Sequence, residues 1–292
     1  MSKTPAVRPS PAVVITGAST GIGRACALEL DRRGFRVFAG IRTAAAAEQL
    51  RAAASARLTP LTIDVTEADT IAAAAKIVAE AVGDAGLDGL VNNAGIVVPG
   101  PLELVPIDAF RRQIEVNLVG QLAVTQAFLP LLRKARGRVV NMSSISGGLS
   151  APYLGPYSAS KFGLEAITDA LRLELRNFGI RVSAIEPPAI ATPIWEKSAA
   201  SAEQFAAGVD RATLSLYDAD LAAMRKWVDR SVRIASPISR VVETVVHALT
   251  ARRPKAHYYV GWDVRFCFKA MKLLPDRIRD RLVRKLVGLH DD

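Results

Sequence analysis

The chain has 292 residues, half of them hydrophobic, and a formal net charge of +10. That is enough apolar material for one sizeable core and too much for a disordered chain. No run of about 18 uncharged apolar residues occurs, so a membrane-spanning helix is not expected, and the first residues lack a signal-like apolar stretch.

Residues 1–11 contain three prolines and read as a disordered arm. From Ala12 onward, short β-rich apolar runs alternate with stretches of helical length. AVVITG, FRVFAGI, LTPLTID, LDGLVNN, GRVVNMSS, IRVSAIE and HYYVG are the strand candidates. RACALELDRR, TIAAAAKIVAEAV, LAVTQAFLPLLRKA and LEAITDALRLELRNF are helix candidates between them. Such alternation predicts an α/β fold: a parallel sheet of about seven strands with helices on both faces. Gly34 and Gly179 follow two helix candidates and suit the left-handed residue just past a helix end. One domain is expected over 12–263. A mostly helical insertion at about 193–236 follows the sixth strand and is expected over the carboxyl ends of the strands as a lid. Residues 264–292 read as a helical extension.

Along that order, the first informative segment is TGASTGIG, Thr16 to Gly23, between strand and helix. Gly17, Gly21 and Gly23 permit a tight turn and close backbone approach to a ligand. The following helix start offers free N–H groups and a positive dipole end to a pyrophosphate. The alternative is a merely tight turn. At the end of the second strand an acid would grip the ribose hydroxyls of NAD, but the chain reads FAGIRT. Arg42 stands there instead and suits a 2′-phosphate, so NADP(H) is favoured, with NAD(H) as the alternative. An ordinary surface role for Arg42 stays open. Asp64, followed by Val65, could accept from the adenine amino group or cap a helix. NNAG, Asn92 to Gly95, could pass close to a nicotinamide ribose or form a simple turn.

YSASK then places Tyr157 and Lys161 one helical turn apart, with the two serines of NMSS upstream. TGASTGIG, NNAG, NMSS, YSASK and EPPAIAT together, in this order, resemble the short-chain dehydrogenase/reductase family, in its dehydrogenase-type branch. The match spans about Ala12 to Thr192 and the strand near Val260. The resemblance implies a Rossmann-like doubly wound sheet and a catalytic tetrad of Asn117, Ser144, Tyr157 and Lys161. It implies dinucleotide contacts from Gly17, Ser19, Thr20, Gly21, Ile22 and Gly23. Arg42, Asp64, Val65, Asn93, Ala94 and Gly95 continue that surface. Tyr157, Lys161, Pro187, Ile190 and Thr192 complete it. Pro187-Pro188 departs from the family's proline-glycine pair and removes a backbone N–H. The implied chemistry moves a hydride between an alcohol carbon and nicotinamide, with Tyr157 as general base or acid. Lys161 is expected to lower the phenol's pKa and hold the ribose, Ser144 to bind the substrate oxygen, and Asn117 to anchor a water leading to Lys161.

Ser144, Leu149, Tyr153, Tyr157 and Trp195 are the expected substrate contacts. Their mostly apolar setting points to a hydrophobic alcohol or carbonyl compound, such as a steroid, retinoid or long-chain species. A 3-oxoacyl-thioester reductase and a non-catalytic NADP(H)-binding regulator are the alternatives. The long tail resembles the retinol- and hydroxysteroid-dehydrogenase-like part of the family. Its apolar Phe266, Phe268, Met271, Leu274, Ile278, Leu282 and Leu286 recur at helical spacing among arginines and lysines. Packing on the domain is the first expectation, and peripheral contact with an anionic membrane the second. The resemblance also implies a homodimer or homotetramer. The basic stretch lacks the interleaved aromatics of a nucleic-acid binder, so no nucleic acid is expected. The two cysteines, Cys26 and Cys267, are far apart, and His247, His257 and His290 lack ligand spacing. A cytoplasmic protein with no disulfide and no metal is expected.

Overall fold

The computed structural model describes residues 10–289, apart from 207 and the side chains of 204, 205, 262–265, 267 and 269. Most of the expected N-terminal arm, the side chain of Cys267, and His290 therefore lie outside the described residues. Strands β1 (Ala12–Ile15), β2 (Arg36–Ile41), β3 (Leu58–Thr62), β4 (Gly89–Asn92), β5 (Arg138–Met142), β6 (Arg181–Glu186) and β7 (His257–Tyr259) form the sheet. Helices α1 (Gly21–Arg32), α2 (Ala44–Ala53), α3 (Ala68–Val82), α4 (Ile107–Ile114), α5 (Gly120–Ala135) and α6 (Gly155–Glu174) connect the first six strands. Then come α7 (Ile194–Ala206), α8 (Arg211–Ser215), α9 (Asp218–Arg233), α10 (Ile238–Thr250), α11 (Trp262–Leu273) and α12 (Asp276–Val287).

Among the described residues the sheet has seven strands, in the order β3-β2-β1-β4-β5-β6-β7, and all neighbours run parallel. The order reverses between β1 and β4, which leaves a crevice at their carboxyl ends. Both faces of the sheet are covered, so the central strands carry buried apolar residues on both sides rather than a polar face. Side chains still alternate: Val13 and Ile15 enter the core under α1, α2 and α10, whereas Ala12 and Val14 enter the core under α3, α5 and α6.

A polar ladder crosses the second core. Asn92 Nδ2 donates to Thr125 Oγ1 at 2.8 Å and to Asn141 Oδ1 at 2.9 Å. Asn141 Nδ2 donates to Thr168 Oγ1 at 2.8 Å. All four residues are buried, so the ladder pins β4, β5, α5 and α6 in one register.

Helices α4 and α5 join through a π-helical turn, Glu115–Val119, into one continuous helix. By length and composition alone that helix, 107–135, would pass for a membrane span. Val124, Phe128 and Leu132 are fully enclosed in the second core, so the placing is that of a core helix. The tail departs from expectation in its facing. Phe268 is buried, but Val283 and Val287 pack inward rather than Ile278, Leu282 and Leu286, which are exposed. Val287 and Leu289 join Met224 of α9 with Val97 and Leu154 in a third, smaller cluster.

Asn141→Ala would leave the amide of Asn92 and the hydroxyl of Thr168 each short of a partner. The expected loss is about 2–3 kcal/mol, read as a lower urea midpoint at unchanged slope.

Candidate active site

The crevice is built from the end of β1. Thr16 Oγ1 accepts from the backbone N–H of Asn93 at 2.9 Å and of Ala94 at 3.0 Å. In return, Asn93 Nδ2 donates to the carbonyls of Thr16 at 2.9 Å and Gly17 at 3.2 Å. This clamp brings the glycine loop and NNAG side by side. Gly17 has φ +64°, and a Cβ there would lie 2.8 Å from Ala94 Cα. A Cβ on Gly23 would lie 2.4 Å from both Gly17 O and Asn93 Nδ2. Only hydrogen fits at either position. Thr20 caps α1 without a side-chain bond, and the first turn carries no acid. The helix start therefore keeps free donors and its positive dipole end for an anion.

A cavity of about 600 Å³ runs along this loop. At one end sit Arg42, Asp64, Val65 and Arg112. The guanidinium of Arg42 is 3.7 Å from the Asp64 carboxylate and largely exposed. Asp64 accepts from the backbone N–H and the hydroxyl of Thr66 at 3.0 and 2.8 Å. Against the desolvation of partial burial, the Thr66 bonds and the charges of Arg42 and Arg112 hold its carboxyl below the usual range.

At the other end lie Ser144, Tyr157 and Lys161. Ser144 follows β5, and its hydroxyl accepts from the Ser146 N–H at 3.1 Å. Burial raises the pKa of the Tyr157 phenol, and the neighbouring Ser144 hydroxyl offsets part of that rise. Lys161 lies one turn further along α6, with Nζ 5.7 Å from the Tyr157 ring centre. Its ammonium donates to the Met142 carbonyl at 2.7 Å. Burial lowers Lys161 to about 8, partly offset by the carboxylate of Glu165. The expected lowering of the phenol by Lys161 is thus not seen among the protein's own groups: the amine is turned to a carbonyl, and desolvation dominates both side chains.

Asn117 departs from expectation too. It is fully buried on the π-helical turn and does not line the cavity. Its Oδ1 accepts from Ile96 N at 2.9 Å, while Nδ2 donates to Ile96 O at 3.0 Å and to Ser160 Oγ at 3.1 Å. Ser160 in turn donates to the Tyr157 carbonyl at 2.7 Å. The side chain therefore braces the backbone around Tyr157, and the water-anchoring role expected for it has no free N–H.

Pro187, Ile190 and Thr192 line the cavity beside the glycine loop, with Trp195 beyond them. The indole of Trp195 donates to the Ile190 carbonyl at 3.0 Å, and Thr192 reaches over Gly21, whose Cβ position lies 3.4 Å from it. Leu149 and Tyr153, expected at the substrate, instead line a separate pocket with Arg279 and Val283. Tyr153 has φ +62°, which turns its side chain out toward α9, where its hydroxyl meets Asp220. The wall of the main cavity comes from Val97, Leu154 and Ile194, with Trp227, Ile234 and Leu286; nothing in the sequence pointed to Trp227 and Ile234 reaching it.

A second polar group lies behind Lys161. The imidazole of His257 is 3.0 Å from Glu186, 3.3 Å from Glu165 and 3.3 Å from Asp169. Sequence spacing gave no such set, yet the His257, Glu165 and Glu186 ligand atoms all lie within 4.8 Å of one another. The carboxylates of Glu165 and Glu186 raise the imidazole to about 10, so its nitrogens hold protons, not lone pairs, at neutral pH, and the group is an ion cluster.

The residues fit a phosphorylated dinucleotide. The fit rests on a glycine cradle that a Cβ would fill, an uncapped helix start and two arginines beside the far end of the cavity. The short chain dehydrogenase family model matches residues 11–203. Retinol dehydrogenase 5 of Homo sapiens is 41% identical over 279 residues, 93% of this chain and 87% of that protein. The 17-beta-hydroxysteroid dehydrogenase type 6 of Bos taurus is 40% identical over 281 residues, covering 94% and 87%. A solved short-chain dehydrogenase from Streptomyces avermitilis superposes with a TM-score of 0.76 at 26% identity, covering 97% of this chain and 98% of its own. A glycine loop clamped to NNAG, a Ser-Tyr-Lys group facing the same cavity, and this likeness across nearly the whole length make the chain a member of the short-chain dehydrogenase family.

Proposed function

We propose that the protein is an NADP(H)-dependent oxidoreductase that interconverts a hydrophobic alcohol and its ketone or aldehyde, of steroid, retinoid or long-chain type. The observation that carries this is the shared cavity: Ser144, Tyr157 and Lys161 line the space that begins at the glycine loop and Arg42. Gly17, Ser19, Thr20, Gly21 and Ile22 would hold the pyrophosphate, with Gly23 giving the loop room. Arg42, with Arg112 beside it, would meet the 2′-phosphate. Asn93, Ala94, Gly95, Pro187, Ile190 and Thr192 would frame the nicotinamide riboside. Bound there, the nicotinamide supplies or takes up the hydride.

Tyr157 moves the proton. Burial keeps its phenol protonated at neutral pH, the form needed to donate to a carbonyl oxygen in reduction. Ser144 holds that oxygen as charge develops on it. Lys161, charged below about pH 8, stabilises the phenolate left behind, so the reductive rate is expected to fall as pH rises through that value. Asn117 and Ser160 hold the Tyr157 backbone in place. Val97, Leu154, Trp195 and Trp227 give the substrate end its apolar wall, in keeping with the names of the retinol and hydroxysteroid relatives.

The apolar flank of the tail fits a membrane surface. Leu273 of α11 and Ile278, Leu282 and Leu286 of α12 are exposed among Arg277, Arg281 and Lys285. Leu286 and Ile234 also line the cavity, so a lipid-dissolved substrate would meet the entrance directly. Exposed Phe162 on α6 and Val119 beside α5 would serve a second copy in a homo-oligomer.

Tyr157→Phe is expected to lower kcat by about 10²–10⁴ while NADPH still binds, as followed by its fluorescence. Near wild-type turnover in that variant would refute the mechanism. Arg42→Asp should raise KM for NADPH at least about tenfold and leave KM for NADH no worse; a wild-type protein preferring NADH would overturn the cofactor assignment. On flotation the protein should rise with anionic vesicles and less with zwitterionic ones, and Leu273→Ser/Ile278→Ser should weaken that binding.

A further inference from the structure

Lys161 is buried, and burial alone favours its neutral amine. The groups that face it come from several elements. Within α6 these are Tyr157 on one side and Glu165, one turn further on, on the other. From the end of β5, the Met142 carbonyl accepts its proton at 2.7 Å. Glu165 is the carboxylate that opposes its desolvation.

Glu165 is held in place. Its Oε2 lies 3.3 Å from His257 Nδ1 on β7. The same nitrogen lies 3.0 Å from Glu186 on β6, and His257 Nε2 lies 3.3 Å from Asp169 of α6. Asp169 is paired with Arg172 at 2.7 Å, and the charge of Lys272 on α11 acts on Glu186. The other oxygen of Glu165, Oε1, is buried and makes no hydrogen bond among the described residues; the same holds for Ser143 Oγ. Both side chains converge on Gly147, where a Cβ would lie 2.9 Å from Glu165 Cγ, 2.9 Å from Ser143 Oγ and 3.1 Å from the Lys161 carbonyl. One carboxylate oxygen is thus engaged by an imidazolium, and the other is left without a donor, at the back of the reacting site.

We propose that Glu165 is a positioning residue: clamped by His257, its carboxylate keeps the Lys161 amine in its ammonium form from the side away from the cavity. His257 Nδ1 lies between the two acids, 3.3 Å from Glu165 and 3.0 Å from Glu186, one imidazolium against two carboxylates. The last strand of the sheet is thereby wired to the reacting lysine, although no residue of β7 lines the cavity. This role presupposes that Tyr157 and Lys161 are the reacting pair, as proposed above.

The test is an NMR titration of the free protein labelled with 13C at lysine Cε, the Lys161 signal being assigned with Lys161→Arg. Wild type should titrate near pH 8, and Glu165→Gln should titrate about one pH unit lower, as expected for removing a neighbouring opposite charge. Glu165→Asp should fall between them. The alkaline limb of kcat/KM for carbonyl reduction should move down with the signal. An unchanged or raised midpoint in folded Glu165→Gln overturns the proposal. Should Glu165→Gln not fold, Glu165→Asp carries the same test, and a wild-type midpoint there overturns it. A midpoint that falls while the rate profile stays put upholds the Glu165–Lys161 pairing and overturns the catalytic reading of Lys161 instead.

Discussion

Thr16 carries the constraint on which the site depends. A doubly wound sheet must open where its strand order reverses, and the two loops leaving β1 and β4 would drift apart without a tie. The Thr16 hydroxyl takes two backbone donors from the β4 loop, and the Asn93 amide returns two bonds to the β1 loop. The loops are then so close that Gly17 and Gly23 have no room for a Cβ. Glycine here answers a distance set by hydrogen bonds, and the same closeness exposes the backbone donors of α1 to the cavity.

At the other end of the cavity the controlling quantity is desolvation. Tyr157 and Lys161 both sit where the charged form is disfavoured, so the two groups drift toward neutrality in opposite directions. Ser144 and Glu165 work against that drift, one on each partner. A site arranged this way holds its proton on the phenol and its charge on the lysine at neutral pH, and the balance is narrow because each correction is only a neighbour deep.

Much of this was legible in the sequence where the signal is local. The glycine loop, NNAG and the Tyr157–Lys161 spacing lie within single loops or turns, and Gly17, Gly21, Asn93, Ala94, Gly95, Tyr157 and Lys161 line one cavity. All seven strand runs are found in the sheet because strands covered on both faces are rich in apolar residues on both sides. Legibility failed where the third dimension decides. His257, Glu165 and Glu186 stand on three elements, and only the register of β7 beside β6, with His257 opposite Ala184, brings them together. Tyr153 was misread because a left-handed φ, unusual for tyrosine, turns it from the cavity. The α12 stripe was misread because two apolar rows share that helix, and the valines rather than Ile278, Leu282 and Leu286 meet α9 and its neighbours.

The two halves of the cavity are held by different forces. The dinucleotide half rests on the sheet and its two large cores. The substrate half takes part of its wall from α9, which buries Met224 alone. Besides the small cluster of Met224 with Val97, Leu154 and Val287, this segment is tied to the body by two polar contacts, Tyr153 to Asp220 and Tyr217 to Glu103. A segment with few buried apolar groups opens at a fraction of the global unfolding free energy. Local opening there would leave the Thr16 clamp untouched, because its four bonds join only the β1 and β4 loops.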